Sequence, residues 1–560
     1  MSKSDLKPNE SSQPTRRQLL RSVGALGAAG LLGTSTMGCS GSGKGLTAAP
    51  IRGASDKNSA VQGTNIYFGD FHNHTECGYA RGSLKRSFKI ARSHLDFFAC
   101  TPHGWWHDIG TYENNIERKW LNGFKIVQRQ YPEVIKLVTE FNMPGKFVAI
   151  AGFEWHSTNC GDYHILFPNT KDAEYTRCKT LKEFQKFAKS KGALLVPHHP
   201  ANKIGHRGTD ISLRDPEVSP VLEMFSEWGN AEHDRAPSPY VRHTEGSRWT
   251  QNTLQHYLKN GHRMGVVAST DDHLGFPGGY REGLAAIIAD ELTPEAIFDA
   301  LRNRRCYAVS GDRIKMSFHC NGEMMGQELD YTRKRKLAIN VEGWDQVDRV
   351  ELLKNNRVIA RNFPMDREPG ADCWKEPVIF RFEYGWGPWP ALDMTRVCDW
   401  DFEIFFEGGT ILEALPCFQS GPLEENRLDE VVKQTKTGVH IRSFTALRQQ
   451  FEDISTKAMV MKLNASPKTK VTIRTKTPTK MTLTKTFAEL AKSNDMFFTG
   501  DFPKESAMLH RLTFADHWRT SFTVDDTGDG KQDDWYYVRV VQANEQYAWS
   551  SPIWVNRRKK

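Results

Sequence analysis

At 560 residues, with 25% charged and 11% aromatic side chains, the chain is long enough for two folded domains preceded by a leader. No run of eighteen apolar residues spans a bilayer beyond the N-terminal segment; a net charge of +8 is modest for this length and by itself says little about nucleic acid, which is not an expected partner. Ten cysteines without CxxC spacing argue against a zinc ribbon or a thioredoxin-like site.

The N-terminus reads as a processing segment. Arg16-Arg17, then Leu19-Leu20 and the weakly apolar stretch 23–32, resemble a twin-arginine export signal. Thr36-Met37-Gly38-Cys39 resembles a lipobox, with Thr36 where such boxes prefer Leu. Residues 1–39 are therefore expected to direct a periplasmic location, with Cys39 as a lipid anchor point, and 40–64, rich in Gly, Ser, Ala and Lys, to form a flexible tether.

From 65 to 310, short apolar runs alternate with amphipathic stretches. The runs 95–100, 147–151, 193–196 and 265–268 read as buried strands; 115–141, 181–190, 250–260 and 294–303 carry apolar residues at helical spacing. Thr293-Pro294-Glu295 is a helix start, a cap followed by proline at the first helical position. This alternation predicts an α/β barrel or a doubly wound sheet. Beyond 311 the pattern turns β-branched and aromatic, as at 337–341, 347–353, 471–475 and 535–542, which predicts an all-β, sandwich-like domain over 311–560. Within it Asp525 to Gly530 reads as a hairpin turn rather than a calcium loop, because Tyr536 stands where the bidentate Glu belongs. Cys373, Cys398 and Cys417 are candidates for a disulfide.

Fifteen of the nineteen histidines lie between residues 72 and 273, many at strand ends. Side chains two apart on extended backbone point the same way, so His72 and His74 can grip one ion, and Asp271 and His273 repeat that spacing. An apolar strand ends on His103, another on Glu154, whose two oxygens suit a bridge between cations; His164 follows, and a further strand ends on His198-His199-Pro200. Lys203, His206 and Arg207 occupy a loop after that motif and could hold an anionic group, while Glu223, ending another apolar run, could line the pocket beside Glu227 and Glu232.

This order of HxH, His, Glu, His, His-Pro and DxH resembles the polymerase and histidinol phosphatase (PHP) superfamily. The Phe68 to Thr75 opening and the Trp535 to Trp554 close look like an exported branch of it, in which a C-terminal β domain follows the barrel. The chain is also similar to carbaryl-hydrolase-like PHP enzymes. The resemblance implies a distorted seven-stranded (β/α) barrel with two or three divalent ions, commonly zinc, manganese or iron. One ion would take His72, His74, Glu154 and Asp271; a second would share Glu154 and take His164 and His199, with His198 as a substitute. A third would use His103 and His273, but Ala80 and Arg81 stand where its remaining ligand is expected, and Pro102 replaces the usual Asp before His103. His103 and His273 could instead serve the substrate or leaving group as proton donors.

The implied reaction is hydrolysis by a bridging hydroxide between ions roughly 3.5–4 Å apart. A phosphoester is the first substrate class; a carboxyl ester or carbamate is the alternative. A third reading is a non-catalytic binder of an anionic polymer or lipid surface through 431–486, where twelve Lys/Arg face two Asp/Glu.

Overall fold

Strand β1 (Ile66–Asp70) begins the described structure, a computed structural model that describes residues 65–240, 246–386, 397–419, 427, 429–446 and 456–559. The leader, the tether and the 447–455 portion of the basic stretch lie outside the described residues. All described residues belong to one compact unit, Ala48–Lys560, and none of their helices is long and apolar enough to cross a membrane.

After β1 come α1 (Leu84–His94), β2 (Phe97–Cys100), β3 (His103–Trp106), α2 (Glu117–Phe141), β4 (Val148–His156), β5 (Asp162–Leu166), α3 (Leu181–Ser190) and β6 (Leu194–His198). They are followed by β7 (Val221–Ser226), β8 (Gly229–Asn230), α4 (Leu254–Lys259), β9 (Gly265–Ala268), β10 (Leu284–Ile288), α5 (Pro294–Arg302) and β11 (Cys306–Val309). The strands and helices expected in this half are present within a few residues. Thr180 and Thr293 cap α3 and α5 through their side chains, and Pro294 opens α5 as anticipated. Helix α1 was not anticipated: its Lys- and Arg-rich sequence hides the stripe of Leu84, Phe88 and Ala91 that it buries.

The main sheet runs β6-β5-β4-β2-β1-β10-β11, parallel at β1/β2 and β2/β4 and antiparallel elsewhere along this path. Phe97, Ala99, Val148 and Ile150 bury one face with Ile297 and Leu301 of α5. Their neighbours Phe98, Cys100, Ala149 and Ala151 bury the other with Phe88 of α1 and Val127 and Leu137 of α2. Burial on both faces explains why these strands read as continuous apolar runs.

Among the described residues no closed seven-stranded barrel is seen. Strands β7, β8 and β9 form a separate sheet, parallel at β7/β9. The free edge of β6 is met before β7 begins: Leu195 donates its amide to Val218 O at 2.8 Å and receives the Ser219 hydroxyl at 2.7 Å. Pro197 has no amide to continue a ladder.

The C-terminal half is β-rich. One five-stranded sheet contains Val378–Trp386, Thr410–Cys417 and Lys457–Asn464; another contains Val397–Glu407, Gly438–Ala446 and Lys470–Thr477. Phe380, Phe382 and Met461 of the first share an apolar cluster with Phe402, Ile404 and Ile473 of the second, the packing expected of a sandwich. The chain then returns across position 310. Tyr547–Ser550 pairs with β11, so the main sheet continues into the C-terminal strands.

Two expectations are corrected. The strands flanking Asp525 to Gly530 pair with different partners, Arg519–Thr527 with Lys334–Glu342 and Asp534–Gln542 with Val347–Lys354, so the segment links two sheets and is no hairpin turn. Cys373, Cys398 and Cys417 are free thiols; Cys398 and Cys417 are buried in different apolar clusters.

Candidate metal centre

The main sheet gathers its polar ends at one place. His103 pairs with Glu154 across β3/β4, Glu154 with His164 across β4/β5, and Asp162 with His198 across β5/β6. Residues directly opposite share a face, so register alone brings these side chains together. His72 and His74 follow β1, and Asp271 and His273 follow β9, tied to them by Asp271 N–H donating to His72 O at 2.7 Å and His74 N–H to Asp272 O at 2.8 Å. His199 and Asp271 adopt left-handed backbone, φ 45° and 53°. That geometry costs on the order of 1 kcal/mol per residue and persists where the surroundings enforce it.

Glu154 stands at the centre. Its Oε1 lies 2.6 Å from His198 Nε2 and 3.3 Å from His156 Nδ1; its Oε2 lies 3.5 Å from His74 Nε2, 3.8 Å from His103 Nε2 and 3.9 Å from His72 Nε2. Asp271 divides in the same way, Oδ1 at 2.9 Å from His74 Nε2 and 3.5 Å from His72 Nε2, Oδ2 at 2.8 Å from His199 Nε2. His72 and His74 bring their Nε2 atoms to 3.0 Å, and His103 and His273 bring theirs to 3.1 Å.

The residues fit a metal. Groups whose donor atoms all lie within 4.8 Å of one another include His72 with His74 and Asp271, His72 with Glu154 and His198, and His198 with His199 and Asp271. Two more are His74 with His103 and His273, and His72 with His164 and Glu223. Nitrogens bound about 2.0–2.1 Å from a tetrahedral ion stand about 3.3 Å apart, close to these spacings. Both ring nitrogens of His164 and Glu154 Oε2 are buried without a hydrogen bond of ordinary length, which is costly unless an ion or water is met there.

Protonation states agree. Burial and the neighbouring His273 push His74 down to about 3, and burial with His199 does the same to His198. Burial also holds His103 and His164 well below the ordinary imidazole range. Burial resists ionising the acids, but His156 and His198 at Glu154, and His72 and His199 at Asp271, keep both carboxyls well below their ordinary range. Neutral imidazoles beside ionised carboxylates are the states that ligate a cation. His72 differs: burial opposes its charge, yet Asp271 and Glu223 outweigh that and raise it.

A family described as a protein of unknown function, DUF3604, matches residues 279–341, which contain none of the clustered residues above. Uncharacterised proteins of Chlamydia pneumoniae and Chlamydia trachomatis are 29% and 25% identical, over 43% and 57% of this chain and 43% and 51% of their own. The chain thus spans about half the length of the curated relatives it matches. A solved two-domain protein of Bacteroides vulgatus, described as containing a predicted PHP-like metal-dependent phosphoesterase, is 15% identical with a TM-score of 0.29, over 54% of this chain and 84% of that one.

The structure brings together His72, His74, His103, Glu154, His164, His198, His199, Asp271 and His273, with His72, His74 and Asp271 in one group and His103 and His273 in another, while His164 and His199 fall in separate groups. His198, the expected substitute, is the imidazole nearest Glu154, while His199 meets Asp271. Glu223, expected to line the pocket, sits 3.2 Å from His72 Nδ1. Lys203 and His206 are exposed, and Arg207 is held by Asp162, with its Nε donating to Oδ2 at 2.8 Å. Glu227 approaches His273 Nδ1 at 3.8 Å; Glu232 is engaged by C-terminal residues instead. The tyrosine Tyr79 stacks on His103 at 3.6 Å between ring centroids, just before Ala80 and Arg81.

Sequence reasoning missed His156 and Asp162, whose Nδ1 and Oδ1 lie 3.6 Å apart in the cluster. Their signal was present: Glu154/His156 and Asp162/His164 have the same two-residue spacing as His72/His74. It also missed Asp70, which accepts from the Thr270 hydroxyl at 2.6 Å and from the His72 amide at 3.1 Å, locking β1 to the loop after β9.

The basic stretch is less uniform than its composition. Its strands flank Val397–Glu407, so Asp401 meets His440 at 2.8 Å and Arg442 and Lys476 at 3.6 Å, and Lys462 is buried beside Glu413.

Proposed function

We propose that this chain is a metal-dependent hydrolase whose substrate is a phosphoester. The observation that supports it is the two-sided Glu154 carboxylate, with His156 and His198 on one oxygen and His72, His74 and His103 towards the other. A carboxylate so placed suits two cations sharing one ligand, with Asp271 as a second two-sided acid. Divalent ions bound there would supply Lewis acidity, polarising a phosphoryl or carbonyl oxygen and acidifying water.

The chain's own groups handle the protons. His273 Nδ1 lies 2.8 Å from the Asp271 backbone carbonyl, so N–H donation there leaves the Nε2 lone pair facing His103. The His273 side chain is 30% exposed where the other clustered imidazoles are buried, so it stands at the open edge of the site. There it can take a proton from attacking water or return one to a leaving alkoxide. Glu223 fixes His72 through Nδ1, presenting Nε2 inwards.

The choice of phosphoester over carboxyl ester or carbamate follows from the PHP resemblance of the motifs, and the assay decides it. Purified protein should carry zinc, manganese or iron by elemental analysis and cleave nitrophenyl phosphate, with activity lost to a chelator and restored by metal. Cleavage of nitrophenyl or naphthyl esters alone would transfer the reading to the carboxyl-ester class. Protein that retains no metal after reconstitution and cleaves neither substrate would end it.

A further inference from the structure

Where α4 ends, a groove enclosing ≈ 1110 Å³ is formed by the 258–263 segment, the 354–359 turn and strand, and the C-terminal stretches 531–535 and 554–557. None of these segments carries a residue of the metal-type cluster. Six basic side chains line it, Lys259, Arg263, Lys354, Arg357, Lys531 and Arg557, against the one carboxylate of Asp533. Two are committed within the protein: Arg263 to Asp533 at 2.8 Å, and Lys354 to Asp526 at 2.7 Å. Lys531 and Asp529, 3.6 Å apart, are both strongly exposed, so solvent screens that pair. Lys259 and Arg357 are exposed and form no ion pair among the described residues.

The groove is rigidly built. Asn355 and Asn356 turn the chain with φ 52° and 66°. Asn355 donates its amide to Trp535 O at 2.9 Å, Trp535 Nε1 donates to Asn356 Oδ1 at 3.0 Å, and Asn356 Nδ2 donates to Gln255 O at 2.7 Å on α4. Lys354 and Arg357 are therefore presented from a pinned turn. Trp535 is half-buried in the lining; its ladder partner Trp554 is 2% exposed and covered by Arg304.

The geometry points to a binding site for an acidic polysaccharide. Carboxylate or sulfate groups would pair with Lys259, Arg357, Lys531 and Arg557, and a sugar ring would lie against Trp535. Guanidinium and ammonium groups recognise such anions by charge-assisted hydrogen bonds. An isolated small anion has no use for the indole, and a single-stranded nucleic acid stacks successive bases on several open aromatic faces, where this lining offers one. The site is independent of the hydrolase reading.

The test uses the full chain. Calorimetric titration with heparin and polygalacturonate oligosaccharides, a neutral dextran oligosaccharide and a single-stranded oligonucleotide, at low and high salt, compares the native protein with the Lys259→Glu/Arg357→Glu variant. Both positions are exposed, so the variant should keep the native circular dichroism spectrum. Acidic oligosaccharides should bind at low salt and weaken at high salt, dextran should not bind, and the variant should lose about tenfold or more in affinity. Unchanged affinity in the variant, tighter binding of the oligonucleotide, or no binding of either acidic oligosaccharide would overturn the proposal.

Discussion

Replacing Glu154 separates charge from shape at the centre of the cluster, because glutamine fills the same volume with one oxygen and no charge. In Glu154→Gln the nitrogen or the oxygen must face His198 at a position now 2.6 Å from its ring, and the opposite set of imidazoles loses its acid. Bound metal should fall to a minor fraction of the native content, and phosphoesterase activity by about a hundredfold or more. Elemental analysis beside the rate decides whether both are lost together, and native metal content in this variant would contradict the two-sided role. Glu223→Gln is the milder case. Its carboxylate acts on His72 Nδ1 at 3.2 Å, so the expected loss is about 10–100-fold in metal affinity, with native activity recovered at saturating metal. A variant that stays inactive however much metal is added would show that Glu223 touches substrate.

Strands and helices of the first half were legible because both faces of the sheet are buried, which leaves runs such as Phe97–Cys100 wholly apolar. What the sequence hid is where edges meet. How β6 meets the segment entering β7, through Val218 and Ser219 bonding to Leu195, is a tertiary detail without periodicity. At the site, the two-residue spacing exposed His72/His74 and Asp271/His273, and the same spacing would have exposed His156 and Asp162. The partners of Glu223 and His198 depend on which strands lie side by side, so no local pattern reveals them. Pairing between sheets also governs acid stability. Glu413 on Thr410–Cys417 meets Lys315 at 2.5 Å and Lys462 at 3.7 Å; burial opposes its charge, but the two lysines hold its pKa at about 2 against an ordinary 4.5. A depressed acid contributes stability that is present above pH 4.5 and lost as pH falls towards 2. That contribution is on the order of 3 kcal/mol at neutral pH. Urea denaturation should find Glu413→Gln weaker than the native chain at pH 7, and the gap should narrow in acid. Parallel stability curves would remove the pair from the account.

At the scale of the molecule, the C-terminal strands complete the sheet that carries the site. Tyr307, Ala308 and Val309 of β11 pair with Ser550, Trp549 and Ala548, and the buried Glu232 receives Tyr537 Oη and Arg539 at 2.8 Å and Trp549 Nε1 at 2.9 Å. Glu232 lies some three hundred positions before the other three yet shares one buried polar network with them, so the two halves share a core rather than abut. A chain ended after Ser310 would open the β11 edge, bare the apolar surface that Trp549 and Tyr537 cover, and strip Glu232 of its Tyr537, Arg539 and Trp549 donors. Bared apolar surface and an open strand edge both invite association. The 65–310 fragment should therefore elute as aggregate in size-exclusion chromatography and retain little metal. In the full chain, Glu232→Ala should lower the unfolding midpoint while leaving the metal ligands in place. A monodisperse fragment with native metal content would show instead that the first half folds alone, and that the returning strands only decorate it.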